Sequence, residues 1–133
     1  MTDNNTGKPL VDFEWSLRAL AQPATIQRML FPEFVCVADE LALEFEECLR
    51  AVRKAENLIP QLASEPIEAL DARLAEMSGP THLELWTDEG LASMSLWEDV
   101  RQRARAVLEA MQWPTTAPAP SKRIYVGEGP RLS

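Results

Sequence analysis

A stripe of apolar and small residues runs through the chain in unbroken steps of four and three: Phe34, Ala38, Leu41, Phe45, Cys48, Val52, Ala55 and Ile59. That spacing keeps one side of a helix aligned with neighbouring helices over many turns, so it constrains the fold more than any other feature. It predicts one long helix from about Pro32 to Asn57. Glu33 in its first turn and Arg50, Arg53 and Lys54 near its end complement the helix dipole. The expected fold is all-α, a single-domain bundle of four to five helices around this long central helix.

The rest of the chain is punctuated by proline and glycine. Residues 1–9 read as a disordered leader of Asp, Asn, Thr, Gly and Pro without periodicity. The helical domain spans 10–113, beginning with Leu10, Phe13, Leu17 and Leu20 on one stripe. Gln22-Pro23 and Phe31-Pro32 bracket a short helical turn, since proline disfavours helical geometry in the residue before it. After Pro60, Ser64 is placed to cap a helix burying Ile67, Leu70, Leu74 and Met77, which Ser78-Gly79-Pro80 stops. Thr87-Asp88-Glu89 reads as a further N-terminus, weakened by Gly90. Ser95 and Glu98 have capping-box spacing ahead of a last helix that buries Trp97, Val100, Ala104, Val107 and Met111. On its outer face Asp99 is spaced to pair with Arg103, and Arg105 with Glu109. Residues 114–133 form an extended, Pro-rich tail, with a short β-like run from Arg123 to Val126.

Charge narrows the function classes. The 133 residues carry 21 acidic against 13 basic side chains, a net charge of -8 that repels a phosphate backbone, so no nucleic acid is expected as partner. No segment nears the roughly twenty apolar residues that span a bilayer, and Met1 to Leu10 is polar, unlike a signal peptide. No membrane partner and a cytoplasmic location are the expectations. Cys36 and Cys48 fall twelve positions apart on the proposed helix, about 18 Å at an ideal rise, too far for a disulfide. With the lone His82 they offer too few ligands for zinc.

Motifs of catalysis are missing from the sequence: no Gly-rich phosphate loop, no nucleophile elbow and no paired histidines on a helix. Acidic residues supply the one patterned constellation. Glu40, Glu44 and Glu47 step by four and three along the long helix, and Glu68 and Asp71 lie three apart on the next. Two such pairs on adjacent helices suit a hard divalent cation, which prefers carboxylate oxygens. In outline, Glu44-x-x-Glu47 followed by Glu68-x-x-Asp71 resembles the acidic pattern of all-helical, magnesium-dependent nucleoside-triphosphate pyrophosphatases. The resemblance covers about thirty residues and implies Mg2+ held by Glu44, Glu47, Glu68 and Asp71.

Tryptophans give a second lead. Trp97 and Trp86 fit core positions, whereas Trp15 and Trp113 lie off the main stripes, where a half-exposed indole can anchor an interface. The main expectation is therefore a small acidic, non-catalytic interaction module: an adaptor, a regulator or a neutraliser of a basic protein partner. It would dock through Glu40, Glu44 and Glu47 with Trp15 and Trp113, and need no cofactor. The alternatives are the magnesium-dependent nucleotide hydrolase and an obligate homodimer that buries Trp15 and part of the long helix.

Overall fold

The apolar stripe is a helix in the computed structural model, which describes residues 3–55 and 58–122, with side chains from Gly7 onward. Helix α3 runs unbroken over Val37–Lys54 and buries Ala38, Leu41, Phe45, Cys48 and Val52, as the spacing requires. Phe45 is 1% exposed, which fixes the register. The start differs from expectation. The Val35 N–H closes a turn onto the Pro32 carbonyl at 3.3 Å, and Cys36 is extended at φ -80, ψ 106 as the N-cap. Phe34, the first member of the stripe, therefore precedes the helix and is 54% exposed.

Around α3 stand α1 (Asp3–Leu20), α2 (Ala24–Met29), α4 (Gln61–Met77), a 3-10 helix (Pro80–Trp86), α5 (Asp88–Ser93) and α6 (Ser95–Met111). No strand occurs among the described residues, and the architecture is the expected all-α single-domain bundle. Helix α1 packs on α3 and α6, and α6 packs on α4, so α1 and α6 join the two sides of the bundle. Phe13 of α1 stacks on Phe45 of α3 with ring centroids 6.0 Å apart. The Arg123–Val126 run lies outside the described residues.

Residues 3–9 are helical rather than a disordered leader. Pro9 removes one backbone donor from α1, yet burial of Phe13, Leu17 and Leu20 and the Lys8–Asp12 ion pair (3.0 Å) one turn apart carry the helix across it. Two expected caps are likewise replaced. Helix α4 starts directly after Pro60, ahead of Ser64. Met94, not Ser95, is the N-cap of α6, and Glu98 turns to Arg101 at 3.4 Å instead of closing a capping box. The stripes of both helices are as expected, except that Met111 is only partly buried.

Thr87 does cap α5, its Oγ1 accepting from the Gly90 N–H at 2.9 Å. Gly90 proves a requirement rather than a weakness: a Cβ there would collide with the Glu84 carbonyl oxygen. Each of three indoles staples a non-helical carbonyl or a helix end to the bundle. Trp97 donates to Leu85 O (2.7 Å), Trp86 to Met77 O (2.9 Å) and Trp15 to Ala119 O (2.7 Å). Trp86 and Trp97 also meet edge to face at 5.3 Å; Trp97 is in the core as expected, and Trp86, partly buried, packs against it.

The least expected element of the interior is polar. Arg101 on α6 is 5% exposed and donates to Gln22 O (3.0 Å), Leu91 O (2.6 Å) and Gln27 Oε1 (3.1 Å). Gln27, fully buried, donates in turn to Ala19 O and Leu20 O (3.1 and 3.0 Å), the last carbonyls of α1. Arg105 reaches Ala21 O at 2.9 Å rather than pairing with Glu109. Carbonyls that a helix C-terminus leaves unsatisfied are thus met by side chains from α2 and α6. Asp99 and Arg103 do pair, at 2.6 Å, and Arg73 of α4 joins them at 2.9 Å.

Candidate functional site

Where α6 ends, Gln112 takes a left-handed conformation (φ 63), and the Trp113 N–H reaches back to Leu108 O at 2.9 Å. This Schellman-type ending reverses the chain and sends residues 114–122 along α1 as an extended strap. Side chains of α1, and of Gln22 just beyond it, read the strap through its backbone. Gln22 Nε2 donates to Thr115 O (2.8 Å), Arg18 Nε to Thr116 O (2.9 Å), Arg18 Nη2 to Thr116 Oγ1 (3.0 Å) and Ala117 O (3.3 Å), and Trp15 to Ala119 O. The Ser121 N–H then donates to Leu30 O at 2.8 Å. Pro118 is buried, the one strap residue that is. The described part of the tail, residues 114–122, is extended and bound to the bundle.

Between the strap, α1 and α3 lies a cleft of about 640 Å³. Lys8, Asp12 and Trp15 line it from α1, Glu44, Glu47 and Cys48 from α3, and Ala119 to Lys122 from the strap. Glu44 is 8% exposed on that wall, and Glu47, three residues on, is exposed. The acidic character continues along α3, where Asp39, Glu40, Glu44, Glu46 and Glu47 occur with no basic residue before Arg50. The volume is that of a small-ligand or side-chain site.

The structure therefore brings together three of the residues expected at an interface, Trp15, Glu44 and Glu47. Glu40 is half-buried one turn earlier on α3 and does not line the cleft. Trp113 is spent internally, its ring edge-to-face against Phe13 at 6.2 Å. Trp15 is half-buried, its indole bonded to Ala119 O and edge to face with Phe31 at 5.9 Å.

The four carboxylates of the magnesium reading do not converge. Glu44 and Glu47 face α1, whereas Glu68 and Asp71 are taken by Arg53, at 2.6 and 3.7 Å. Among the described residues no group of three or more His, Cys, Asp or Glu side chains is placed to hold a metal ion. A guanidinium from the end of α3 thus pairs with both of these α4 carboxylates, Glu68 and Asp71.

Nucleophilic chemistry finds no better support. Cys36 donates its thiol to Trp86 O at 3.3 Å. Burial, with Asp39 and Asp88 nearby, pushes that thiol above its ordinary range despite a backbone hydrogen bond from Asp39, so the reactive thiolate is disfavoured. His82 lies in the 3-10 helix with its backbone N–H bonded to Gly79 O at 3.1 Å.

Sequence reasoning missed Lys8, Asp12, Arg18, Gln22 and Lys122. Lys8, Asp12 and Arg18 are polar residues of α1, Gln22 follows that helix and Lys122 belongs to the strap, so they are linked only once the tail is known to return. No helix among the described residues is long and apolar enough to cross a membrane. Comparison with protein-family models, with curated proteins and with solved structures gives no match.

Proposed function

We propose that this protein is a non-catalytic interaction module that docks a basic segment of a protein partner along the acidic side of α3. The carrying observation is the continuity of the Asp39–Glu47 acidic run with a cleft walled by Glu44, Glu47 and the Trp15 indole. Carboxylates beside an aromatic ring suit a Lys or Arg side chain, which gains from charge pairing and from cation–π contact. Cys36 and Cys48 are not joined in a disulfide, which suits a reducing compartment such as the cytoplasm.

The test is charge reversal along the docking edge. Glu40→Lys with Glu47→Lys should abolish binding of a lysine-rich synthetic peptide while circular dichroism stays that of the folded bundle. Glu65→Lys with Glu109→Lys, on exposed positions of α4 and α6, should leave most binding intact. Association with the wild-type chain should slow as salt rises, since charge steering is screened beyond roughly 8–10 Å at ordinary ionic strength. Equal losses from both pairs of reversals would reduce the docking edge to bulk charge.

A further inference from the structure

The strap and the cleft share a border, and that border has a consequence for binding. We propose that residues 114–122 are a releasable autoinhibitory latch, whose docked form places the chain's own Lys122 at the cleft where a basic partner would dock. The inference rests on the docking role proposed above for that cleft.

Three observations carry it. First, the strap is seated as a peptide ligand is. Trp15, Arg18 and Gln22 address main-chain carbonyls in succession, and one proline ring is buried, a mode that recognises an extended backbone with little demand on sequence. Second, its hold is peripheral. The bonds from Trp15 and Arg18 are solvent-exposed, that from Gln22 is part-buried, and apart from Pro118 the strap buries no side chain, so it can open without disturbing the bundle core. Third, its distal end lines the cleft. Ala119, Pro120, Ser121 and Lys122 form one wall, and Lys122 supplies a cation opposite a wall that contains Glu44 and Glu47.

A segment tethered this closely acts at high effective concentration, so a free peptide competes with it at a disadvantage. The apparent affinity of the cleft for a cationic ligand then scales with the fraction of molecules whose strap is open. Loosening the strap raises that fraction, and thereby the affinity, without touching the cleft.

Arg18→Ala with Pro118→Gly in the full chain makes this testable, because neither residue lines the cleft. The first readout is amide hydrogen exchange. In the wild-type chain the Ser121 amide, bonded to Leu30 O, should exchange about a hundredfold or more faster than core amides such as Val107, as sub-global opening does. The double variant should accelerate Ser121 about tenfold further, the size expected from losing one or two hydrogen bonds, and leave Val107 unchanged. Exchange of Ser121 at the rate of Val107 in the wild-type chain overturns the latch, since the strap would then open only when the whole bundle unfolds.

The second readout is calorimetric binding of an octalysine peptide. The double variant should bind it several-fold more tightly than the wild-type chain. Equal or weaker binding by the variant overturns the latch and spares the docking edge. Binding by neither chain removes the docking edge and the latch with it.

Discussion

Helix α1 is held at two places by hydrogen bonds to main-chain carbonyls, and the two differ in where water stands. At its C-terminal end, Arg101 and Gln27 are buried and satisfy carbonyls of Ala19, Leu20, Gln22 and Leu91 inside the bundle. Along its outer side, Trp15 and Arg18 satisfy carbonyls of the strap in solvent. Removing a partner from the buried set leaves polar groups that water cannot reach, whereas the exposed set exchanges one hydrogen-bond partner for another. The same chemical contact therefore fixes the fold in one place and allows release in the other.

Arg101→Ala should show the largest effect. It strips donors from Gln22 O, Leu91 O and Gln27 Oε1, and should cost about 3–5 kcal/mol, since each buried acceptor left unsatisfied costs about 1–3 kcal/mol. Chemical denaturation measures it. A loss below about 1 kcal/mol would place the buried network on the same footing as the strap and dissolve the contrast.

Deleting residues 114–133 should have an intermediate effect, about 1–3 kcal/mol, from the lost exposed bonds and the uncovered Pro118 slot. Composition alone, with prolines at 114, 118 and 120, predicts almost no loss, because it treats the segment as an unattached tail. A thermal melt of the shortened chain separates the two expectations.

The difference between those expectations marks what is legible in this sequence. The stripes of α3 and α4, from Phe45 and Ile67 to Leu74, can be read directly because burial on one helix face leaves a period in the chain. Thr87 can be read because a cap acts over three residues. Arg101 cannot: it looks like one more charge beside Val100, and its partners Gln22 and Gln27 are more than seventy residues away. The strap is hidden for the same reason, since Trp15 meets Ala119 across 104 positions. At the cleft, the acidic step of Glu44 and Glu47 is visible in the sequence and Trp15 stands out off the main stripes, but Lys122 reaches the site only through the returning chain.

Gln112 joins the rigid α6 to the strap, and its left-handed backbone strains a residue with a Cβ. Gln112→Gly should stabilise the bundle by about 0.5–1 kcal/mol, the strain relieved less the flexibility glycine adds to the unfolded chain. Denaturant midpoints read this, and a destabilised variant would show that the Gln112 side chain has a role in the turn.

The smallest effect concerns acid. Burial raises the Asp99 carboxyl, but hydrogen bonds and charge from Arg103 and Arg73 outweigh it and hold the group below its ordinary range. A depressed carboxylate contributes stability above its unfolded-state pKa, and that contribution is lost as pH falls through the folded value. Between wild type and Asp99→Asn, the stability difference should accordingly be full near neutrality and shrink below about pH 4. A difference independent of pH would assign the effect of Asp99 to packing between α4 and α6.

The central claim, that the acidic side of α3 and its cleft take a basic segment, is tested most directly by mapping amide chemical-shift changes as a lysine-rich peptide is added to the labelled full chain. The account predicts changes concentrated from Asp39 to Cys48 on α3, at Trp15, and at Ala119 to Lys122 of the strap, fading as salt rises. Changes spread evenly over the acids of α4 and α6, or centred on Glu68 and Asp71, would contradict it.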